Sequence, residues 1–196
     1  MESERITIKN SSLRQYFPLW MDFHALHLAV IRQQLPYWAE ISKEQELMCK
    51  KGRPLCVVFD LDEVLISPLH HFYGKNFSVG DHFNLLKDRN MCPSYPGARD
   101  IVQKCRELNL NVFFVTARSE IYRDHTSKNL LELGLIPDRL IMKDVPDDLS
   151  SQWKKFIRQN LSSQYRIVAN IGDQVSDLGE HVDINYLIPH HFYNTR

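Results

Sequence analysis

Four cysteines without a CxxC pair, no excess of either charge, no internal repeat and no signal-like leader set the first limits on this chain. Of the cysteines, Cys56 lies in an apolar run and Cys105 on a helical face, so buried free thiols are expected rather than a disulfide framework. That usage suits a reducing interior. Twenty-four Lys plus Arg against twenty-four Asp plus Glu give a formal net charge of zero, which excludes wrapping nucleic acid or adhering to an anionic membrane as a global property. The opening "MESERITIKN" has no apolar core, so no secretory signal is read and a cytoplasmic setting is the expectation. A transmembrane span needs roughly 20 mostly apolar residues. The longest apolar segment, "PLWMDFHALHLAVIRQQLPYW", is interrupted by Asp22, His24, His27 and Arg32.

What is present suits one sizeable core with a modest appendage, for 196 residues with 43% apolar and 24% charged content. Residues 18–35 place Leu19, Phe23, Leu26, Val30 and Ile31 on one stripe, between Pro18 and Pro36, and predict an amphipathic helix packed on the main domain. Residues 43–54 predict a short polar helix. Together, residues 1–54 form an N-terminal helical segment, with a docking element for a macromolecule as the alternative.

From Leu55 to residue 196, strands alternate with amphipathic helices. Strands are predicted at 55–60, 111–116, 138–143, 166–173 and 184–188. One helix shows Ile101, Val102, Cys105 and Leu108. Another runs from Ser119 to Gly134, and a third shows Trp153, Phe156, Ile157 and Leu161. This alternation indicates a parallel sheet covered on both faces. Residues 66–96, with three prolines and five aromatics, are too long for an ordinary connection and are read as a small cap.

The strand "LCVVF" ends in Asp60, Asp62 and Glu63, and another ends in Asp173 followed by Asp177. Ligands of open parallel sheets bind beyond the carboxyl ends of the strands. If those strands are neighbours, at least three carboxylates share one crevice. Two unit charges about 4 Å apart repel by roughly 4 kcal/mol at an effective dielectric near 20, a large share of a stability of about 5–15 kcal/mol. A divalent cation removes that cost, and an all-oxygen set points to Mg2+ rather than zinc. Metal, lysine and Thr116 suit a phosphate, and a carboxylate aimed at phosphorus can form an aspartyl-phosphate.

"DLDEV" at 60–64, "FVTAR" at 114–118, a lysine in 143–155 and "GDQVSD" at 172–177 resemble the four motifs of the haloacid dehalogenase (HAD) superfamily. More narrowly, "FVTAR", "KKFIRQNL", "YRIVANIGDQVSDL" and "IPHHFY" resemble the class B and class III acid phosphatases, the group that includes plant vegetative storage proteins. The resemblance implies a HAD-like Rossmannoid three-layer sandwich over residues 55–196, with a small cap insertion. It implies Asp60 as nucleophile and metal ligand, and Asp62 as general acid and base with its backbone carbonyl on the metal. Thr116 and the N–H of Ala117 would hold phosphoryl oxygens, and Asp173 and Asp177 would complete the Mg2+ site. Lys154, followed by Arg158 and Leu161 at the family's spacing, is favoured as the phosphate-stabilising lysine over Lys143.

Arg118 is a further candidate for substrate binding, with a surface ion pair as its alternative. In the cap, Phe72 and Tyr73 are candidates to stack a base or aryl group of the substrate, or equally to form the insertion's own core, while His71 is read as facing the substrate or the surface rather than a metal. The activity so implied is Mg2+-dependent hydrolysis of small phosphomonoesters, with a nucleoside monophosphate as the single best candidate. A non-catalytic binding or storage protein, and a phosphatase or phosphotransferase acting on a macromolecule, are the alternatives. No nucleic-acid or membrane partner is expected; the oligomeric state is open, with a homodimer one option.

Overall fold

One parallel sheet is built from three apolar runs covered on both faces, β1 (Leu55–Phe59), β2 (Asn111–Ser119) and β4 (Arg166–Gly172), and two partly exposed edge strands, β3 (Arg139–Lys143) and β5 (Val182–Leu187). This computed structural model describes residues 10–50, 52–68, 92–144 and 150–189. The strand order is β3-β2-β1-β4-β5, with every neighbouring pair parallel. β1 is therefore central, and chain order reverses there, so the carboxyl ends of β2, β1 and β4 lie side by side.

The helices are α1 (Asn10–Cys49), α2 (Ala98–Glu107), α3 (Arg123–Glu132) and α4 (Ser150–Gln164). Val57, Phe59, Val112 and Phe114 point to the face covered by α1 and α2, which also receives Leu130 of α3. Cys56, Val58, Phe113 and Val115 point to the other face, where Trp153 and Leu161 of α4 cover them. This is a three-layer α/β sandwich. The period of two along β1 and β2 produces both cores from continuous apolar runs.

α1 differs from the sequence reading in extent and in rotation. It is one helix that continues through Pro36. The buried stripe is Leu28, Ile31, Leu35, Trp38 and Ala39, together with the polar His24, Ser42 and Glu46. Leu19 and Leu26, placed on the stripe by periodicity, are 64% and 63% exposed. A proline inside a helix costs about 3 kcal/mol. Leu35 is fully buried on one side of it, and Trp38 and Ala39 are buried on the other, so continued packing outweighs the loss. Glu46 takes its place inside because Arg53 grips both its oxygens and holds its carboxyl down to about 2.

A truncation lacking residues 1–40 is expected to be insoluble. It removes Leu28, Ile31, Leu35 and Trp38, each 8% exposed or less, at about 1.5–3 kcal/mol apiece. That sum rivals the whole stability of a typical domain, about 5–15 kcal/mol. A soluble remnant with a cooperative thermal transition would show instead that α1 is separable.

All four cysteines are free; Cys56, Cys92 and Cys105 are buried and Cys49 is exposed. The two ends of the 66–96 insertion are stitched together. Ser67 N donates to Pro93 O at 2.8 Å, and Ile66 forms an antiparallel bridge with Ser94. Residues 69–91, which carry His71, Phe72 and Tyr73, lie outside the described residues.

Candidate active site

β1 delivers Asp60 because its ladder to β4 runs one residue beyond the strand: Asp60 N donates to Ile171 O at 2.9 Å. β4 ends at Gly172, and a tight turn then presents Asp173 and Asp177. Gly172 is obligatory for closeness, since a Cβ there would lie 2.1 Å from Asp177 Cβ. In the turn, Gln174 N donates to Asp177 Oδ2 at 3.0 Å and Gln174 Nε2 donates to Asp173 Oδ2 at 2.9 Å. The result is a trio: Asp60, Asp173 and Asp177 each offer an oxygen within 4.8 Å of the others, and all three are buried.

α4 supplies the counter-charge. Lys154 Nζ donates to Asp60 Oδ1 at 2.9 Å and also to Asp177 Oδ1. Four residues on, Arg158 Nε donates to Asn170 Oδ1 at 3.1 Å and its NH2 lies 3.6 Å from Asp177 Oδ1. Lys154 and Arg158 are 4% and 3% exposed, whereas Phe156, read from periodicity as facing inward, is 58% exposed. The inner face of α4 is thus partly ionic. The other candidate, Lys143, ends the edge strand β3 opposite Ser119.

Fully ionised, three carboxylates against Lys154 and Arg158 leave one negative charge over, and burial, more than that excess, raises the proton affinities of Asp60 and Asp173. Burial pushes Asp60 up to about 7, opposed by Lys154 and reinforced by Asp177. Burial pushes Asp173 up to about 9, reinforced by Asp60 and Asp177. Burial alone would lower Lys154, but Asp60 and Asp177 outweigh it and keep the ammonium charged. An all-oxygen, under-neutralised trio fits a hard divalent cation, and Asp60, Asp173 and Asp177 would hold it.

β2 brings the remaining candidates. Its register with β3 slips between Thr116 and Ser119, leaving Ala117 and Arg118 without cross-strand partners. Such an irregularity re-aims side chains. Arg118 turns inward, 2% exposed, and clasps both oxygens of Asp62, Nε to Oδ2 at 2.8 Å and NH2 to Oδ1 at 2.6 Å. The guanidinium is buried and the carboxylate part-buried, so this is not a surface pair. Thr116 is buried, with its Oγ1 accepting from Arg118 N at 3.2 Å.

Glu63, the third acid of the first turn, stands apart from the trio. It is fully buried against Tyr95, whose hydroxyl donates to Oε2 at 2.5 Å, and burial pushes it up to about 8.

Asn170 and Arg158 were not assigned roles by the sequence reading. Asn170 supports the second turn through Nδ2 to Asp177 O. A polar residue inside the buried run "RIVANIG" was its available signal, and for Arg158 it was the spacing of four from Lys154.

A sequence profile described as HAD superfamily, subfamily IIIB (Acid phosphatase) matches residues 6–194. The chain is 31% identical over 129 residues to Acid phosphatase 1 of Solanum lycopersicum, covering 62% of this chain and 51% of that protein. It is 29% identical over 131 residues to Vegetative storage protein 1 of Arabidopsis thaliana, covering 63% and 48%. The chain spans about half the length of these curated relatives. The class C acid phosphatase structure from Bacillus anthracis superposes with a TM-score of 0.64 at 17% identity, over 86% of this chain and 69% of that one. At such identity the likeness speaks to the fold.

Proposed function

The chain belongs to subfamily IIIB of the HAD superfamily, the acid phosphatases, and on that premise we propose that it is a Mg2+-dependent phosphomonoester hydrolase working through a phosphorylated Asp60. The observation that carries the reading is the buried trio of Asp60, Asp173 and Asp177 with Lys154 bonded to two of its members. Bound there, a divalent cation supplies positive charge to the phosphoryl oxygens and relieves the repulsion among the carboxylates.

An oxygen of Asp60 forms a bond to phosphorus as the ester P–O bond breaks, and Asp62 gives the departing alkoxide its proton. Asp62 then takes a proton from water, whose oxygen attacks phosphorus, releases phosphate and restores Asp60. The paired bonds from Arg118 match Asp62 in the carboxylate form that accepts water's proton. Lys154 orients Asp60 and adds charge at the reacting centre, while Thr116 and the N–H of Ala117 receive phosphoryl oxygens. Small phosphomonoesters are the substrates proposed, with a nucleoside monophosphate the first to try.

Hydrolysis of p-nitrophenyl phosphate is expected to require Mg2+ and to vanish with chelator. Mg2+ is also expected to raise the melting temperature more at pH 8 than at pH 5.5. Below the raised values of Asp60 and Asp173 the ion must displace protons, and that competition fades as pH rises through about 7 and then 9. The absence of both turnover and stabilisation at every pH would overturn the reading. The likeness to vegetative storage proteins raises a binding or storage role, which predicts stabilisation by Mg2+ without turnover.

A further inference from the structure

The turn that carries Asp60 and Asp62 is fastened to α1 by a buried cluster that the mechanism above does not use. Glu63 adopts φ 59°, left-handed for a non-glycine residue, and is fully buried. Both features cost free energy, and a glycine would incur neither. What Glu63 brings instead is attachment. Its Oε2 accepts from the Tyr95 hydroxyl at 2.5 Å, and that hydroxyl accepts from Trp20 Nε1 at 3.2 Å. Its backbone carbonyl accepts from His24 Nε2 at 2.7 Å, and the His24 ring stacks on Tyr95 at 4.0 Å between centroids. Its N–H donates to Ile66 O at 2.9 Å, and Tyr95 N donates to Leu65 O at 2.9 Å. Asp62 and Glu63, adjacent in the chain, are thus held by separate partners, Arg118 for one and Tyr95 for the other.

We propose that Glu63 and Tyr95, braced by Trp20 and His24 of α1, are positioning residues that fix the turn so that Asp62 meets the leaving group. The proposal rests on the phosphatase reading. α1 then serves the reaction as well as the core. The role concerns proton delivery, so it is graded by how badly the leaving group needs a proton. A nitrophenolate departs without help, whereas an alkoxide does not.

The test compares kcat/KM for p-nitrophenyl phosphate and β-glycerophosphate in the full-length wild type and in Tyr95→Phe, Glu63→Gly and Glu63→Gln. Tyr95→Phe keeps the ring stacked on His24 and loses only the hydroxyl, while Glu63→Gly removes the backbone strain together with the clasp. Both are expected to stay within about threefold of wild type on the aryl ester and to lose about tenfold or more on the alkyl ester. Glu63→Gln retains an acceptor for Tyr95 and is expected to restore the wild-type ratio. A merely structural role would depress both substrates alike. Folded variants with an unchanged ratio, or an equal loss on both esters, would overturn the proposal. A wild type that hydrolyses neither ester would defeat the phosphatase reading itself, and the proposal with it.

Discussion

Asp60→Asn is expected to lower kcat/KM for phosphomonoesters by on the order of 10⁴-fold or more while leaving the fold intact. Removal of a catalytic nucleophile has effects of that scale, and a carboxamide oxygen does not form the acyl phosphate. Stability should move the opposite way in metal-free protein. Unfolded Asp60 loses its proton near 3.8, but in the folded chain burial holds that proton until about 7. Between those values the unfolded state sheds a proton that the folded state keeps, so wild-type stability falls as pH rises. The Asn variant has no such loss, and its melting temperature should overtake wild type's progressively from pH 4 to 7. Adding Mg2+ should narrow or reverse the gap, because wild type alone keeps the full ligand set. A variant with near wild-type turnover would remove Asp60 from the nucleophile's place.

Gly172→Ala is expected to be nearly as damaging, although residue 172 touches no reacting atom. Its Cβ would sit 2.1 Å from Asp177 Cβ and 2.6 Å from Cγ and Oδ2. No rotamer of Asp177 relieves a clash with its own Cβ, so the turn itself must shift. Overpacking of this kind typically costs about 1–3 kcal/mol. A displaced Asp177 also strips a contact from Lys154 and a ligand from the trio. The expected result is a loss of about 100-fold or more in kcat/KM, on the scale of displacing a preorganised group, with little remaining stabilisation by Mg2+. Wild-type values in both measurements would mean that the turn accommodates the methyl group without moving Asp177.

The parts of this protein that are local in character were readable from the chain. A short apolar run ending in acid needs no partner to be recognised, so all five strands and the acidic exits after β1 and β4 were found. The motif spacing likewise singled out Lys154. Rotation of the helices was less legible. Periodicity counts apolar side chains, but α1 buries His24, Ser42 and Glu46, and α4 buries Lys154 and Arg158, while Leu19, Leu26 and Phe156 face outward. Those charged and polar groups are inside because each meets a partner, and partners are not visible in a hydropathy pattern.

The amino-acid order alone therefore specifies a parallel α/β sheet whose strands end in carboxylates, since apolar runs seek burial and acids do not. Which acids converge was settled only by the folded chain. The order β3-β2-β1-β4-β5 sets β1 beside β4 and so joins Asp60 to Asp173 and Asp177. The same packing sends Asp62 to Arg118 and Glu63 to Tyr95, although the three acids lie within four residues. Charges so close in sequence part company because each, once buried, must find its own compensating neighbour, and those neighbours arrive from distant segments.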